Sequence, residues 1–275
     1  MGQDLFDATP EYRAIEGQVD SILGYSLREM CLVDRDNRLK ETQFTQPCLF
    51  AVNALHYFKA RREGLRPSYL AGHSLGEYNA LHAAGVFDFV TGLRLVKKRG
   101  ELMSQARGGA MGAVIGLGVS VITKVMNDDS LSSLDVANFN SPLQTVVSGP
   151  VDAVHRAGPL FEKRGAKLYM PLQVSAAFHS RYMADAARKF EDYLAPFRFD
   201  SPATPVVANV TAEPYPNGGG EDSIKSLLVR QIDHSVRWNQ SVRWLMNHGV
   251  DDFRELGPGN VLTRMLQQIR QEQDA

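Results

Sequence analysis

The stretch Pro67-Ser68-Tyr69-Leu70-Ala71-Gly72-His73-Ser74-Leu75-Gly76-Glu77-Tyr78 decides the fold that the sequence predicts. Residues 67–72 are a short apolar run typical of a strand, and the alanine-rich residues 77–84 indicate a buried helix. Between them lies a Gly-X-Ser-X-Gly pattern, in which glycines are expected because the turn is too sharp for neighbouring side chains. The turn places Ser74 at the start of the helix, where the dipole and the N–H of Leu75 favour a developing negative charge. Ser74 is therefore the candidate nucleophile.

Strands and helices alternate on the C-terminal side of this turn. The order β-α-β-β-α-β, a ferredoxin-like pattern, is predicted by strands at 110–116, 134–138, 144–149 and 166–172 and helices at 119–127 and 151–164. Further elements are helices at 180–194, 222–232 and 239–248, strands at 205–210 and 252–256, and a solvated loop at 214–220. We therefore predict an α/β fold: a hydrolase-like, largely parallel-sheet core (1–109 and 178–275) with an inserted ferredoxin-like subdomain (110–177).

Composition and charge narrow the classes of function. The chain has 275 residues, 44 % apolar and 22 % charged, which is typical of a globular protein and excludes disordered and fibrous classes. Because 30 basic side chains face 31 acidic ones, no field of one sign favours nucleic acid or a membrane surface. No apolar run is long enough to span a membrane, and the first residues, Met1-Gly2-Gln3-Asp4-Leu5, are not expected to form a secretory signal. Cys31 and Cys48 are expected to be free thiols in a reducing cytoplasm.

A serine nucleophile needs a base, and the chain offers seven histidines: His56, His73, His82, His155, His179, His234 and His248. His179 is favoured because it lies where the inserted subdomain returns to the core, the place for a cleft, with His234 as the second choice. The surroundings of Arg99 allow two interpretations: its side chain is solvated at a basic helix end, or its guanidinium binds an anionic group of the substrate. No histidine pair has zinc-ligand spacing, so no metal site is predicted.

Five motifs stand in the order and spacing of one known family. They are Gly72-His73-Ser74-Leu75-Gly76-Glu77-Tyr78, Lys98-Arg99-Gly100-Glu101-Leu102-Met103, Ala177-Phe178-His179-Ser180, Leu228-Val229-Arg230-Gln231-Ile232 and Glu255-Leu256-Gly257-Pro258-Gly259-Asn260-Val261-Leu262. Over nearly the whole chain they resemble malonyl-CoA:acyl carrier protein transacylases and polyketide synthase acyltransferase domains. Residues 79, 87–89 and 104–107 look more like the free-standing acyltransferases that serve polyketide synthases in trans than like the fatty-acid enzyme.

The resemblance implies a two-step transfer that needs no cofactor. Ser74, deprotonated by His179, would attack the thioester of malonyl-CoA, and the acyl-serine would pass its malonyl group to the phosphopantetheine thiol of an acyl carrier protein. The N–H of Leu75 would bind one side of the oxyanion. Arg99 would hold the free malonyl carboxylate.

Three further residues are expected around the substrate. Phe178 resembles the phenylalanine of malonyl-selective enzymes, whose ring leaves little room for an α-methyl group, a preference of about 1–3 kcal/mol. Gln231 lies in the segment that supports the histidine. His73 is a substrate-binding candidate, although its neighbouring position should turn its side chain away from Ser74.

The family begins with a strand and a Gly-Gln-Gly-Ser-Gln loop whose first glutamine supplies a second oxyanion N–H. This sequence begins just beyond that loop, so Gln3 is not expected to inherit the role. We expect the natural N-terminus to lie upstream, the alternative being an enzyme with half an oxyanion hole. Two other functions stay open: an acyl hydrolase that edits carrier-bound chains, for which Arg99 would be superfluous, and a non-catalytic binding module.

Overall fold

Two sheets organise the protein, for which a computed structural model describes residues 1–128, 131–216 and 220–273. The six strands are β1 Leu70–Ala71, β2 Gly109–Ile115, β3 Asp135–Ser141, β4 Gln144–Pro150, β5 Leu168–Pro171 and β6 Val206–Val207. In the described part of the chain, β1 pairs with β6 in parallel, and the other four form an antiparallel sheet of order β3-β4-β2-β5. The predicted loop 214–220 lies partly outside the described residues.

Thirteen α-helices cover these sheets in the described residues. They are α1 Leu5–Ala8, α2 Pro10–Arg13, α3 Glu16–Leu23, α4 Leu27–Leu32, α5 Thr42–Arg62, α6 Gly76–Ala83, α7 Phe89–Gln105, α8 Val119–Asp128, α9 Val151–Lys163, α10 Ala184–Leu194, α11 Gly220–Asp233, α12 Trp238–Asn247 and α13 Val261–Gln273. Short 3-10 helices lie at Arg38–Lys40 and Arg181–Met183. Within the described residues, no helix combines the length and the apolar character that crossing a membrane requires.

The ferredoxin-like pattern is confirmed in both order and topology. The elements β2-α8-β3-β4-α9-β5 follow the predicted sequence, and the two central strands are the first and third of the unit, as this fold requires. This unit has its own apolar cluster, which includes Ile122, Val125, Val154 and Phe161. Together with the parallel pair, it confirms the predicted α/β class. The boundaries at 109/110 and 177/178 stay a prediction.

The largest difference from the expected fold concerns the parallel sheet. Among the described residues this sheet has two short strands, and the strand predicted at 252–256 does not form. The α13 helix holds that segment instead: Glu255 accepts the N–H groups of Leu262 and Thr263, and Arg270 donates to the carbonyl of Asp251. Three of the five residues 252–256 are charged, and the segment bonds to the N-terminal end of α13 instead of to a sheet neighbour, so the strand prediction was wrong.

Close packing of α5 on α7 positions part of the site. A side chain at Gly92 would place its Cβ 2.5 Å from the ring of Phe50, so only glycine lets the two helices approach this closely. The approach buries one face of α7, including Arg99, which is 1 % exposed. It also sets Arg99 against Gln46 of α5.

Candidate active site

The turn between β1 and α6 holds Ser74 in a strained conformation. Its φ is +50°, a left-handed value that few residues other than glycine adopt. Asn209, which follows β6, holds this conformation with both ends of its amide: Oδ1 accepts the N–H of Ser74 at 2.7 Å, and Nδ2 donates to the carbonyl of Gly72 at 2.7 Å. The strain is thus balanced by a residue at the carboxyl end of the neighbouring parallel strand.

The two glycines of the motif differ in necessity. A Cβ on Gly72 would lie 1.9 Å from the carbonyl carbon of Gly76, whereas a Cβ on Gly76 would meet no atom within 4 Å. The expectation that both glycines are sterically required is therefore correct for Gly72 and wrong for Gly76. The backbone crosses over itself at Gly72, and the start of α6 faces open space.

His179 lies within hydrogen-bond distance of the candidate nucleophile. Its Nε2 is 2.8 Å from Ser74 Oγ, and its Nδ1 is 2.8 Å from the backbone carbonyl oxygen of Gln231. Because a carbonyl only accepts, Nδ1 carries the proton, which leaves Nε2 free to take the hydroxyl proton of Ser74. Burial, reinforced by the charge of Arg99, lowers the pKa of His179 to about 3, so the ring is neutral at physiological pH. His179 also has a left-handed φ of +56°.

Arg99 reaches the same hydroxyl from α7. Its Nη2 donates to Ser74 Oγ at 3.0 Å and to Gln231 Oε1 at 3.0 Å, and its Nη1 donates to Gln46 Oε1 at 2.7 Å. All three partners are neutral. Within the described ranges, no carboxylate forms an ion pair with this buried guanidinium, and its Nε has no hydrogen-bond partner. Because no described carboxylate contacts the guanidinium directly, it is free to bind an anion that enters the site, while the carboxyl of Glu77, which lies behind Gln231, acts on it electrostatically.

The other predicted site residues are placed as follows. The N–H of Leu75 makes no hydrogen bond to a described residue and stands at the start of α6, where an oxyanion donor is expected. Phe178 is buried in the main apolar cluster directly before His179. His73 turns away from Ser74, as expected, and bonds to Asn140 Oδ1 of β3 at 2.8 Å. His234, the second choice for the base, is exposed and pairs with Asp233.

Gln231 of α11 connects more of the site than the sequence indicated. Its backbone carbonyl orients His179, while its side chain accepts from Arg99 and donates to the carbonyl of Ser74 at 2.8 Å and to Glu77 at 2.6 Å. Gln231 thus contacts Ser74, His179 and Arg99 at once. Its roles remain predictions, but the structure places it between all three.

Sequence reasoning missed the functions of Asn209, Gln46 and Glu77. A signal existed for Asn209, since polar residues at the carboxyl end of a parallel strand face a site. Glu77 was part of the quoted motif, but nothing in the sequence showed its complete burial. No signal marked Gln46, which lies among apolar residues of α5.

A strained serine at a strand–helix turn, a neutral histidine at hydrogen-bond distance from its hydroxyl and a buried arginine that no described carboxylate contacts form a candidate serine–histidine acyl-transfer site. The chain belongs to the acyl transferase domain family, whose model matches residues 1–275.

Individual relatives agree with this assignment. The chain is 48 % identical to the polyketide biosynthesis malonyl CoA-acyl carrier protein transacylase BaeC of Bacillus velezensis, over 100 % of this chain and 93 % of that protein. The crystal structure of the malonyl CoA-acyl carrier protein transacylase from Burkholderia pseudomallei matches with a TM-score of 0.92 and 44 % identity, over 99 % of this chain and 93 % of that one. A malonyl-transacylase solved with its type II polyketide synthase acyl-carrier protein matches with a TM-score of 0.91 and 37 % identity, over 98 % and 88 % of the two chains.

Proposed function

We propose that this protein moves a malonyl group from malonyl-CoA to the phosphopantetheine thiol of an acyl carrier protein, through an acyl-Ser74 intermediate. The observation that carries the proposal is the guanidinium of Arg99, 3.0 Å from Ser74 Oγ and without a carboxylate partner in the described chain. In a malonyl thioester one methylene separates the free carboxylate from the reacting carbonyl. A cation beside the nucleophile is therefore at the right distance to hold that carboxylate while Ser74 attacks.

The chemistry follows from the hydrogen bonds. Ser74 Oγ gives its proton to Nε2 of His179 and attacks the thioester carbonyl, and the N–H of Leu75 stabilises the oxyanion. Collapse of this intermediate expels the thiolate of coenzyme A, which receives the proton from His179. In the second half the carrier thiol gives its proton to His179 and its sulfur attacks the acyl-serine carbonyl. The tetrahedral intermediate then expels Ser74 Oγ, which takes the proton back from His179, so that both residues are restored.

The partner and setting follow from the relatives. A polyketide transacylase and a complex of a transacylase with its acyl-carrier protein are among them, so we assign the carrier partner and a role in polyketide synthesis, with fatty acid synthesis as the second candidate. We place the reaction in the cytoplasm, where coenzyme A esters and carrier proteins occur. The buried free thiols of Cys31 and Cys48 agree with a reducing compartment.

The proposal is tested by intact-protein mass spectrometry after brief incubation with malonyl-CoA and then with a phosphopantetheinylated carrier protein. We expect a malonyl adduct that passes to the carrier and is absent from Ser74→Ala. An adduct that hydrolyses without transfer would instead support the editing hydrolase, and failure of an active-serine probe to label Ser74 would support a non-catalytic module.

The role of Arg99 is tested separately with Arg99→Ala and Arg99→Lys. Loading from malonyl-CoA should fall at least about tenfold, the cost of losing a hydrogen-bonded ion pair. Loading from acetyl-CoA, which has no free carboxylate, should not fall in parallel. Arg99→Lys should recover only part of the loss because an ammonium cannot form the planar, two-point contact. Unchanged malonyl loading in Arg99→Ala would remove Arg99 from the mechanism.

A further inference from the structure

A buried carboxyl group lies directly behind the candidate nucleophile. Glu77 of α6 is 0 % exposed and touches neither His179 nor the hydroxyl of Ser74 through any described hydrogen bond. Three donors surround it: Tyr215 Oη donates to Oε1, while Gln231 Nε2 at 2.6 Å and the N–H of Asn209 at 3.3 Å donate to Oε2. The mechanism above assigns it no step, yet burying a carboxyl group is costly unless it is well bonded.

The contacts of Glu77 fix which way the amide of Gln231 points. Its Nε2 donates to the carboxyl of Glu77 and to the carbonyl oxygen of Ser74, a group that can only accept. The nitrogen must therefore lie on this side. The oxygen is then obliged to face Arg99, whose Nη2 donates to it at 3.0 Å. This orientation follows from the partners and involves no ambiguity between the amide nitrogen and oxygen.

Arg99 depends on this amide oxygen for its own position. Two glutamine oxygens, from Gln231 and from Gln46, hold the two Nη atoms of the guanidinium, and no described carboxylate competes for them. The chain of contacts thus runs from Glu77 through Gln231 to Arg99. Glu77 makes no hydrogen bond to Arg99 and reaches it through Gln231, while its charge also acts on the guanidinium through space.

We propose that Glu77 is a positioning residue for acyl selectivity: it holds Gln231, which in turn aims Arg99 at the carboxylate of the acyl group. This inference rests on the proposed function, since it concerns how the malonyl carboxylate is recognised. Loss of Glu77 should weaken the preference for carboxylated acyl groups and leave the attack by Ser74 largely intact.

Two substitutions at Glu77 distinguish the loss of its hydrogen bond to Gln231 from the loss of side-chain volume. Glu77→Gln keeps an oxygen for Gln231 and Asn209 and can turn its amide nitrogen to Tyr215, whose hydroxyl also accepts. Glu77→Met keeps similar volume and offers Gln231 no strong acceptor. Glu162→Gln on the exposed face of α9 is the matched control for loss of one carboxylate.

The measurement is the ratio of Ser74 acylation rates from malonyl-CoA and acetyl-CoA, by quenched mass spectrometry. We expect Glu77→Met to lower this ratio about tenfold or more, the range for one hydrogen bond to a charged group. The acetyl rate and the labelling of Ser74 by a fluorophosphonate should change less than about twofold. Loss of a hydrogen bond to a charged group would change these rates by more than that. Glu77→Gln and Glu162→Gln should keep the wild-type ratio.

A double-mutant cycle tests the route through Gln231. Gln231→Leu keeps the backbone carbonyl that orients His179 and removes the side-chain link, so adding Glu77→Met to it should change the ratio no further. Glu77→Leu replaces Glu77→Met if the latter does not fold. A wild-type ratio in Glu77→Met, or an equal fall with both thioesters, would overturn the inference. A wild-type protein that takes no malonyl group would overturn the proposed function instead.

Discussion

Replacing Gly72 by alanine is expected to destabilise the protein far more than replacing Gly76, although both glycines belong to one motif. An alanine Cβ at position 72 would lie 1.9 Å from the carbonyl carbon and 2.0 Å from the carbonyl oxygen of Gly76, and 2.5 Å from the N–H nitrogen of Glu77. Comfortable contacts between such atoms are about 3.5 Å or longer. These three atoms are backbone, so the clash cannot be relieved by a rotamer change.

The magnitude follows from what must move. Moving apart the backbone segments that cross at Gly72 would break the bonds of Asn209 to Ser74 and Gly72. We therefore expect Gly72→Ala to cost at least about 3 kcal/mol, the upper range for overpacking. In a chain of this size that corresponds to a fall in Tm of roughly 6–12 °C. Gly76→Ala meets no atom within 4 Å and lies in a helix. It should be neutral or stabilise by up to about 1 kcal/mol.

Thermal unfolding followed by circular dichroism, together with labelling of Ser74 by a fluorophosphonate, measures both effects. Gly72→Ala should unfold at lower temperature and label slowly, because the nucleophile loses its strained geometry. Gly76→Ala should unfold at the wild-type temperature or above it. A Gly72→Ala variant with wild-type Tm, or a Gly76→Ala variant as unstable as Gly72→Ala, would refute the reasoning.

Three further predictions concern the protonation of His179, the protonation of Glu77 and the hydrogen bonds by which Asn209 holds the turn at Ser74. Since burial lowers the pKa of His179 to about 3 in the free protein, the rate of Ser74 acylation at malonyl-CoA concentrations well below KM should be constant from pH 8 to about pH 5; a decline centred near pH 6.5 would contradict it. Burial raises the pKa of Glu77 from 4.5 to about 7, so the folded state binds this proton more tightly than the unfolded state, and stability is lost as pH rises through that range. The stability of Glu77→Gln relative to wild type should therefore increase by about 2–3 kcal/mol between pH 5 and pH 8, and a pH-independent difference in urea unfolding would count against it. Asn209→Ala should lower stability by about 1–3 kcal/mol and slow acylation, since the N–H of Ser74 loses its acceptor. Asn209→Asp keeps that acceptor and should retain more of the acylation rate. Equal losses in the two variants would show that the hydrogen bond from Ser74 N–H to residue 209 is not the cause.

Local patterns predicted the parts of the fold that depend on local order. The run of residues 67–84 is strand, turn and helix in the structure, although β1 itself has only two residues. The ferredoxin-like unit could be predicted because its strands and helices alternate over a short length of chain. The segment 252–256 could not, because Phe253 packs on a cluster that includes residues of α12 and α13, and the pattern of so short a segment does not distinguish this from a strand.

The candidate site likewise contains residues that the sequence predicted and residues that it did not. Ser74 was found because a motif marks it, and His179 was favoured by its place where the inserted subdomain returns to the core. The resemblance strengthened His179 and turned Arg99 from an ambiguous position into an expected one. Glu77 and Asn209 were missed because their importance lies in hydrogen bonds between residues more than 130 positions apart. A single sequence reports which faces are apolar, and it does not report which distant polar groups meet.

The wide separation of the site residues also bears on synthesis of the chain. The contact between Ser74 and Gln231 spans 157 residues, so it forms only after α11 has left the ribosome. The turn lacks Asn209 until residue 209 has emerged, and His179 lacks the carbonyl that orients its ring until Gln231 follows. A nascent chain therefore contains Ser74 long before it contains the groups that activate its hydroxyl.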